Sequence, residues 1–226
     1  MRETMPHRRM ITPAFTTADW ASLLDSSRAD APGTRDALTR LCRTYWQPLY
    51  AYVRMRGYSP EDAQELTHRF FARLTESNLS DELSDARARL RSFFLTELRR
   101  FLDAAPSESR NAGQPADSAN AEKLFEQNWA LALLNVVYDR LRYEYESSDK
   151  AEIFETLKFC LTSRGDPAPA GDLARKLGVA EPTLKILTDR LRKRFLEILR
   201  EEAAHSVASP QEVDEELKRL SVALSS

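Results

Sequence analysis

Histidine, cysteine and glycine are scarce in this chain, whose 226 residues contain three, two and six of them. His7, His68 and His205 fall in three separate segments, and no H-E-x-x-H, G-x-S-x-G or glycine-rich phosphate loop is present. The patterns that organise metalloproteases, serine hydrolases and nucleotide-binding enzymes are missing, so catalysis is not expected. Cys42 and Cys160 form no C-x-x-C pair and have no histidine at metal-ligand spacing, which argues against a disulfide framework and a structural zinc site. Both read as buried small apolar residues. No cofactor or metal is implied.

Long apolar runs are absent too. None approaches the roughly 18 residues of a membrane span, and the basic start from Met1 to Arg9 lacks the apolar stretch of a signal peptide. A cytoplasmic protein without membrane contact is expected.

The chain is rich in charge and in helical periodicity, while strand signals are nearly missing. Its formal charge of −2 is unevenly spread. Residues 171–200 carry eight Lys/Arg against four Asp/Glu, whereas 104–160 carry six against ten and 201–226 carry two against six. A basic block in an otherwise acidic chain points to a local anionic partner.

Apolar residues from Ala37 through Leu41, Tyr45, Trp46, Leu49 and Tyr50 to Val53 repeat at helical spacing, with Pro48 expected to kink or split that helix. After a stop at Gly57, Ser59-Pro60-Glu61-Asp62 supplies an N-cap serine, a proline at the first helical position and an acid at the third. A third helix is predicted from near Ser84, carrying Leu90, Phe93, Phe94, Leu98, Phe101 and Leu102 with interleaved arginines. From Asp103 to Asn120 the periodicity stops and Ala, Ser, Asn, Pro and Gly dominate, as in a flexible linker. Beyond it, Leu124 to Leu141 and Ile153 to Leu161 predict two helices, and Ser209-Pro210 opens a tail helix with Val213, Leu217, Leu220 and Leu224 on its apolar side.

The expected fold is therefore all-α, with two helical domains joined by a flexible linker. Its parts are an extension over 1–33, a first domain over 34–103, a linker over 104–121, a second domain over 122–203 and an acidic C-terminal helix over 204–226. That last helix reads as a solvated amphipathic cap, a segment folded back on the second domain, or a partner site.

Residues 170–190 fit a helix-turn-helix. Ala174 lets two helices cross closely, Gly178 permits the turn, and Val179, Leu184 and Leu187 wedge the second helix on the first. Pro182 sits in the first turn, where its missing N–H costs nothing. With Leu184, Leu187 and Leu191 inward, Thr183, Lys185, Thr188, Asp189, Arg192 and Lys193 are left outward. Such a surface suits the major groove, with Lys and Arg on phosphates and the threonines or Asp189 near base edges. A helical hairpin with a solvated basic face is the alternative.

From Ala37 to Leu220 the chain resembles an extracytoplasmic-function sigma factor of the sigma-70 family, a promoter-specificity subunit of bacterial RNA polymerase. Tyr45-Trp46-Gln47-Pro48-Leu49-Tyr50-Ala51-Tyr52, Ser59 to Thr67 and Phe70-Phe71-Ala72-Arg73-Leu74 resemble the family's core-polymerase-binding region. Arg89 to Leu102 resembles its promoter-melting helix. Trp129-Ala130-Leu131 and the helix-turn-helix, continued by Arg190 to Phe195, resemble the domain that reads the minus-thirty-five element. The resemblance implies a polymerase-binding set of Glu65, His68, Arg69, Phe70 and Phe71, and promoter contacts from Arg89, Arg91, Arg99 and Arg100. Core RNA polymerase, promoter DNA and an anti-sigma factor are the implied partners.

Each set has a plainer reading: the two phenylalanines at 70 and 71 fit a core, as do Phe93 and Phe94, and the arginines can simply solvate a helix. Two departures stand out. His68-Arg69 replaces the family's Gln-Glu or Gln-Asp, reversing the charge at a clamp-binding position, and Asp103 to Glu108 stands where relatives continue with a Trp and a basic run. They favour, as the alternative, a non-initiating regulator that keeps the architecture and titrates polymerase or an anti-sigma partner.

Overall fold

The computed structural model describes residues 32–76, 90–104, 118–161, 169–204, 206–207 and 209–225. They form α1 (Pro32–Met55), α2 (Pro60–Glu76), α3 (Leu90–Asp103), α4 (Ser118–Ser147), α5 (Ala151–Leu157), α6 (Ala170–Leu177), α7 (Glu181–Ala204) and α8 (Val213–Ser225), with 3-10 turns at Lys158–Leu161 and Pro210–Glu212. Among the described residues there is no strand, and the protein is all-α as expected. Nearly all of the expected extension, the helix start at Ser84 and most of the expected linker lie outside the described residues.

Local chemistry sets several boundaries. α1 ends before Gly57, which takes a left-handed φ of 91°. α2 opens as its sequence predicts: the Asp62 amide donates to Ser59 Oγ at 3.0 Å, and Ser59 Oγ donates to the Asp62 carboxylate at 2.8 Å. Pro48, by contrast, does not split α1, which runs unbroken through it. Tyr45, Leu49, Tyr52 and Val53 are all buried on both sides of the proline. That burial offsets the roughly 3 kcal/mol local cost of an interior proline.

The apolar side chains gather in two clusters, and α4 belongs to both. Its first half, with Ala121, Phe125, Trp129, Ala130 and Leu133, packs with α1, α2 and α3. Its second half, with Val137 and Leu141, packs with α5, α6 and α7. Trp129 stacks on Tyr45 of α1 with ring centroids 4.2 Å apart and meets Phe94 of α3 at 6.1 Å. The two clusters thus divide near Val136 within α4, and Trp129 lies in the first of them. Its fully buried indole N–H has no hydrogen-bond partner.

The tail helix folds back. Leu220 is buried in the first cluster, Leu217 and Ala223 pack against it, and Asp214 of α8 pairs with Arg200 of α7 at 2.8 Å. Cys160 is buried and Cys42 half-buried, both as free thiols, and burial pushes the Cys42 thiol up to about 11.

Candidate nucleic-acid interface

The segment read as a helix-turn-helix forms α6 and α7, joined by Gly178, Val179 and Ala180. Gly178 takes φ 64° and ψ 29°, the left-handed conformation that caps a helix. The Val179 amide reaches back to the Ala174 carbonyl at 3.0 Å, and the Gly178 amide to the Arg175 carbonyl at 3.2 Å. Ala174, Leu184 and Leu191 are buried together, with Leu173, Leu177, Val179 and Leu187 packed at the edge of the same cluster. α7 begins at Glu181, so Pro182 occupies its first turn.

The back of α7 is tied to α4 by ion pairs. Arg194 donates from Nε and Nη2 to the two oxygens of Glu144, each at 2.7 Å. Arg140 of α4 pairs with Glu201 and, at 2.9 Å, with the buried Glu202. Arg192 Nε donates to the Cys160 carbonyl at 3.1 Å, fixing α7 to the 3-10 turn as well. These contacts fix one side of the helix and leave the other outward.

Thr183, Lys185, Asp189, Arg192 and Lys193 are exposed. Thr188 is half-buried and its hydroxyl donates to the Leu184 carbonyl at 3.0 Å, so it offers a partner its lone pairs but no free proton. Two residues missed by the sequence reading lie on the same face: Arg190, which is exposed, and Ile186, an apolar side chain left 51% exposed. Helical spacing carries the signal for both, since 186, 189, 190 and 193 fall on one stripe. Ile186 suits a thymine methyl, Asp189 can accept from a cytosine amine, and Lys185, Arg190 and Lys193 suit phosphates.

The arginines of α3 are differently placed. Arg89 lies outside the described residues. Arg91 is only 13% exposed and pairs with Glu126 of α4 and, at 3.5 Å, with Glu216 of α8. Arg99 pairs with Glu122 of α4, and its Nε donates to the Tyr52 hydroxyl at 3.3 Å. Arg100 is 71% exposed and pairs with Glu97 of its own helix. Phe94 is buried and Phe93 packs partly buried on the same core.

On α2, Glu65, His68 and Arg69 are exposed, whereas Phe70 is buried against Phe94 and Phe101 and Phe71 against Phe94. The His68 ring lies 4.5 Å from that of Trp46 on α1, so two rings pack together at this face. Among the described residues no three His, Cys, Asp or Glu side chains gather as a metal site requires, and no helix is long and apolar enough to cross a membrane.

Compared with protein-family models, curated proteins and solved structures, the chain matches none.

Proposed function

We propose that this chain is a sigma factor of the extracytoplasmic-function type, which binds core RNA polymerase in the cytoplasm and directs promoter-specific initiation. In this reading α6 and α7 are a helix-turn-helix and α7 is its recognition helix. The observation that carries it is the outward stripe of Lys185, Ile186, Asp189, Arg190 and Lys193 on a helix whose opposite side is anchored by Leu184 and Leu191 and whose flank is pinned by Arg194. A rigid helix with phosphate-binding cations flanking base-reading groups is what major-groove recognition needs. Polymerase contact falls to Glu65, His68 and Arg69 on α2, and melted promoter to α3, following the resemblance of those segments. Run-off transcription with core polymerase and genomic promoters tests it: promoter-dependent transcripts support the assignment, and their absence with intact core binding rejects initiation.

A second reading is a non-initiating regulator that titrates polymerase or an anti-sigma partner. The burial of Phe70 and Phe71 and the reversed charge at Arg69 favour it, since both alter the face on which the resemblance places the clamp contact. A polymerase pull-down scored alongside the transcription assay separates the two.

A further inference from the structure

Three acids from two helices converge on the arginines of α3. Glu122 and Glu126 lie one turn apart on α4 and pair with Arg99 and Arg91, and Glu216 of α8 closes on Arg91 from another side. Glu216 is itself only 3% exposed, and its other oxygen receives Arg219 at 3.4 Å. We infer that α8 is an internal occupant of a phosphate-binding site on α3, its Glu216 and the neighbouring Glu126 holding the Arg91 guanidinium that a nucleic-acid strand engages when α8 leaves. This rests on reading α3 as a nucleic-acid-contacting helix.

The occupant is poised to leave. α8 has 13 residues, too few for a stable isolated helix, so it persists by packing Leu220 and Leu217 on the first core. Burial holds the Glu216 carboxyl above its ordinary range, with Arg91 and Arg219 opposing. Taking that carboxylate out of water carries a desolvation cost that buried ion pairs often fail to repay. Displacing α8 returns that carboxylate to water. An opening of about 400 Å³ beside the pair is lined by Arg91, Lys123 and Glu126 on one side and by Glu215, Lys218 and Arg219 of α8 on the other, so Lys123 offers a strand a first contact next to Arg91.

The test uses the full chain and a fluorescent single-stranded DNA of mixed sequence, read by anisotropy, with hydrogen exchange on α8 in parallel. Leu220→Asp removes the apolar anchor while adding a negative charge, so a gain in binding cannot come from net charge. It should expose the α8 amides and tighten strand binding by about tenfold, as loss of a dominant occluding state does. Leu217→Asp, at a half-buried position, should act in the same direction and serves if the first variant misfolds. Arg91→Gln added to Leu220→Asp should return affinity to the wild-type level. Freely exchanging α8 amides without tighter binding overturn the inference, and so does a gain that survives Arg91→Gln. Duplex binding that depends on Lys193 is measured alongside. Its loss counts against the proposed function, whereas the Arg91-dependent strand signal reports on α8 by itself.

Discussion

Arg194 of α7 grips Glu144 of α4 with a two-point fork, Nε and Nη2 each donating across 2.7 Å. The hydrogen bonds from Arg194 hold the Glu144 carboxyl below its usual range, aided by the charges of Arg194 and Arg140. A carboxyl whose folded value is depressed stabilises the fold above its unfolded value, and that contribution is lost as pH falls towards the folded one. Glu144→Gln should therefore cost about 1 kcal/mol at neutral pH, a modest figure because both side chains are about a third exposed. Thermal unfolding of both proteins from pH 7 downward checks it, and the gap between their melting temperatures should close below about pH 4.

Gly178 sits at φ 64°, yet a Cβ placed there meets nothing within 4 Å. The penalty for a side chain is thus purely a backbone one. Gly178→Ala should destabilise by about 1–2 kcal/mol, and Gly178→Asn by less, because asparagine tolerates the left-handed region better. Urea denaturation of the three proteins gives the ranking; equal losses for Ala and Asn would contradict the backbone account.

Leu184 and Ile186 are two residues apart on α7 and face opposite ways, so their substitutions should separate folding from binding. Leu184→Ala should cost about 2–5 kcal/mol by emptying part of the second core. Ile186→Ala should leave the melting temperature unchanged and relax base preference at one position. Lys193→Ala should weaken all duplex sequences about equally and reduce the salt slope by about one, whereas Asp189→Ala should alter preference. A selection from random duplexes, scored for each variant, distinguishes these outcomes.

Arg69 is exposed beside His68 on α2. If this face meets a basic clamp, like charges are juxtaposed, and Arg69→Glu should tighten binding to a generic core polymerase, mainly through the association rate at a rim position. A core-binding titration at low and high salt compares the two proteins. Tight binding that the substitution leaves untouched places Arg69 off the interface, and tight binding that it abolishes indicates a polymerase with a compensating change.

The readable parts of the molecule were those decided within a few residues. Ser59 caps α2, Gly178 turns left-handed, and Leu184 and Leu191 go inside because each depends on spacing or on one residue's conformational range. α4 was harder, because it is apolar on more than one side and periodicity does not say which neighbour each side meets. Trp129 therefore groups with the second domain in sequence and packs in the first core in space. Arg91 shows the same limit for charge: Glu126 is 35 positions away and Glu216 is 125, and composition by segment cannot pair them. Ile186 is legible only once its face is traced, since an apolar residue on a basic helix otherwise reads as core.

A helix of 30 residues spans about 45 Å. Because α4 contributes one end to each core, it serves as a common ridgepole: the ring stack of Trp129 on Tyr45 and the fork of Arg194 on Glu144 are mounted on one continuous helix, about 22 Å apart along its axis. The number of residues between Trp129 and Glu144 therefore sets the angle at which the two cores face each other, each added residue being worth about 100° of turn.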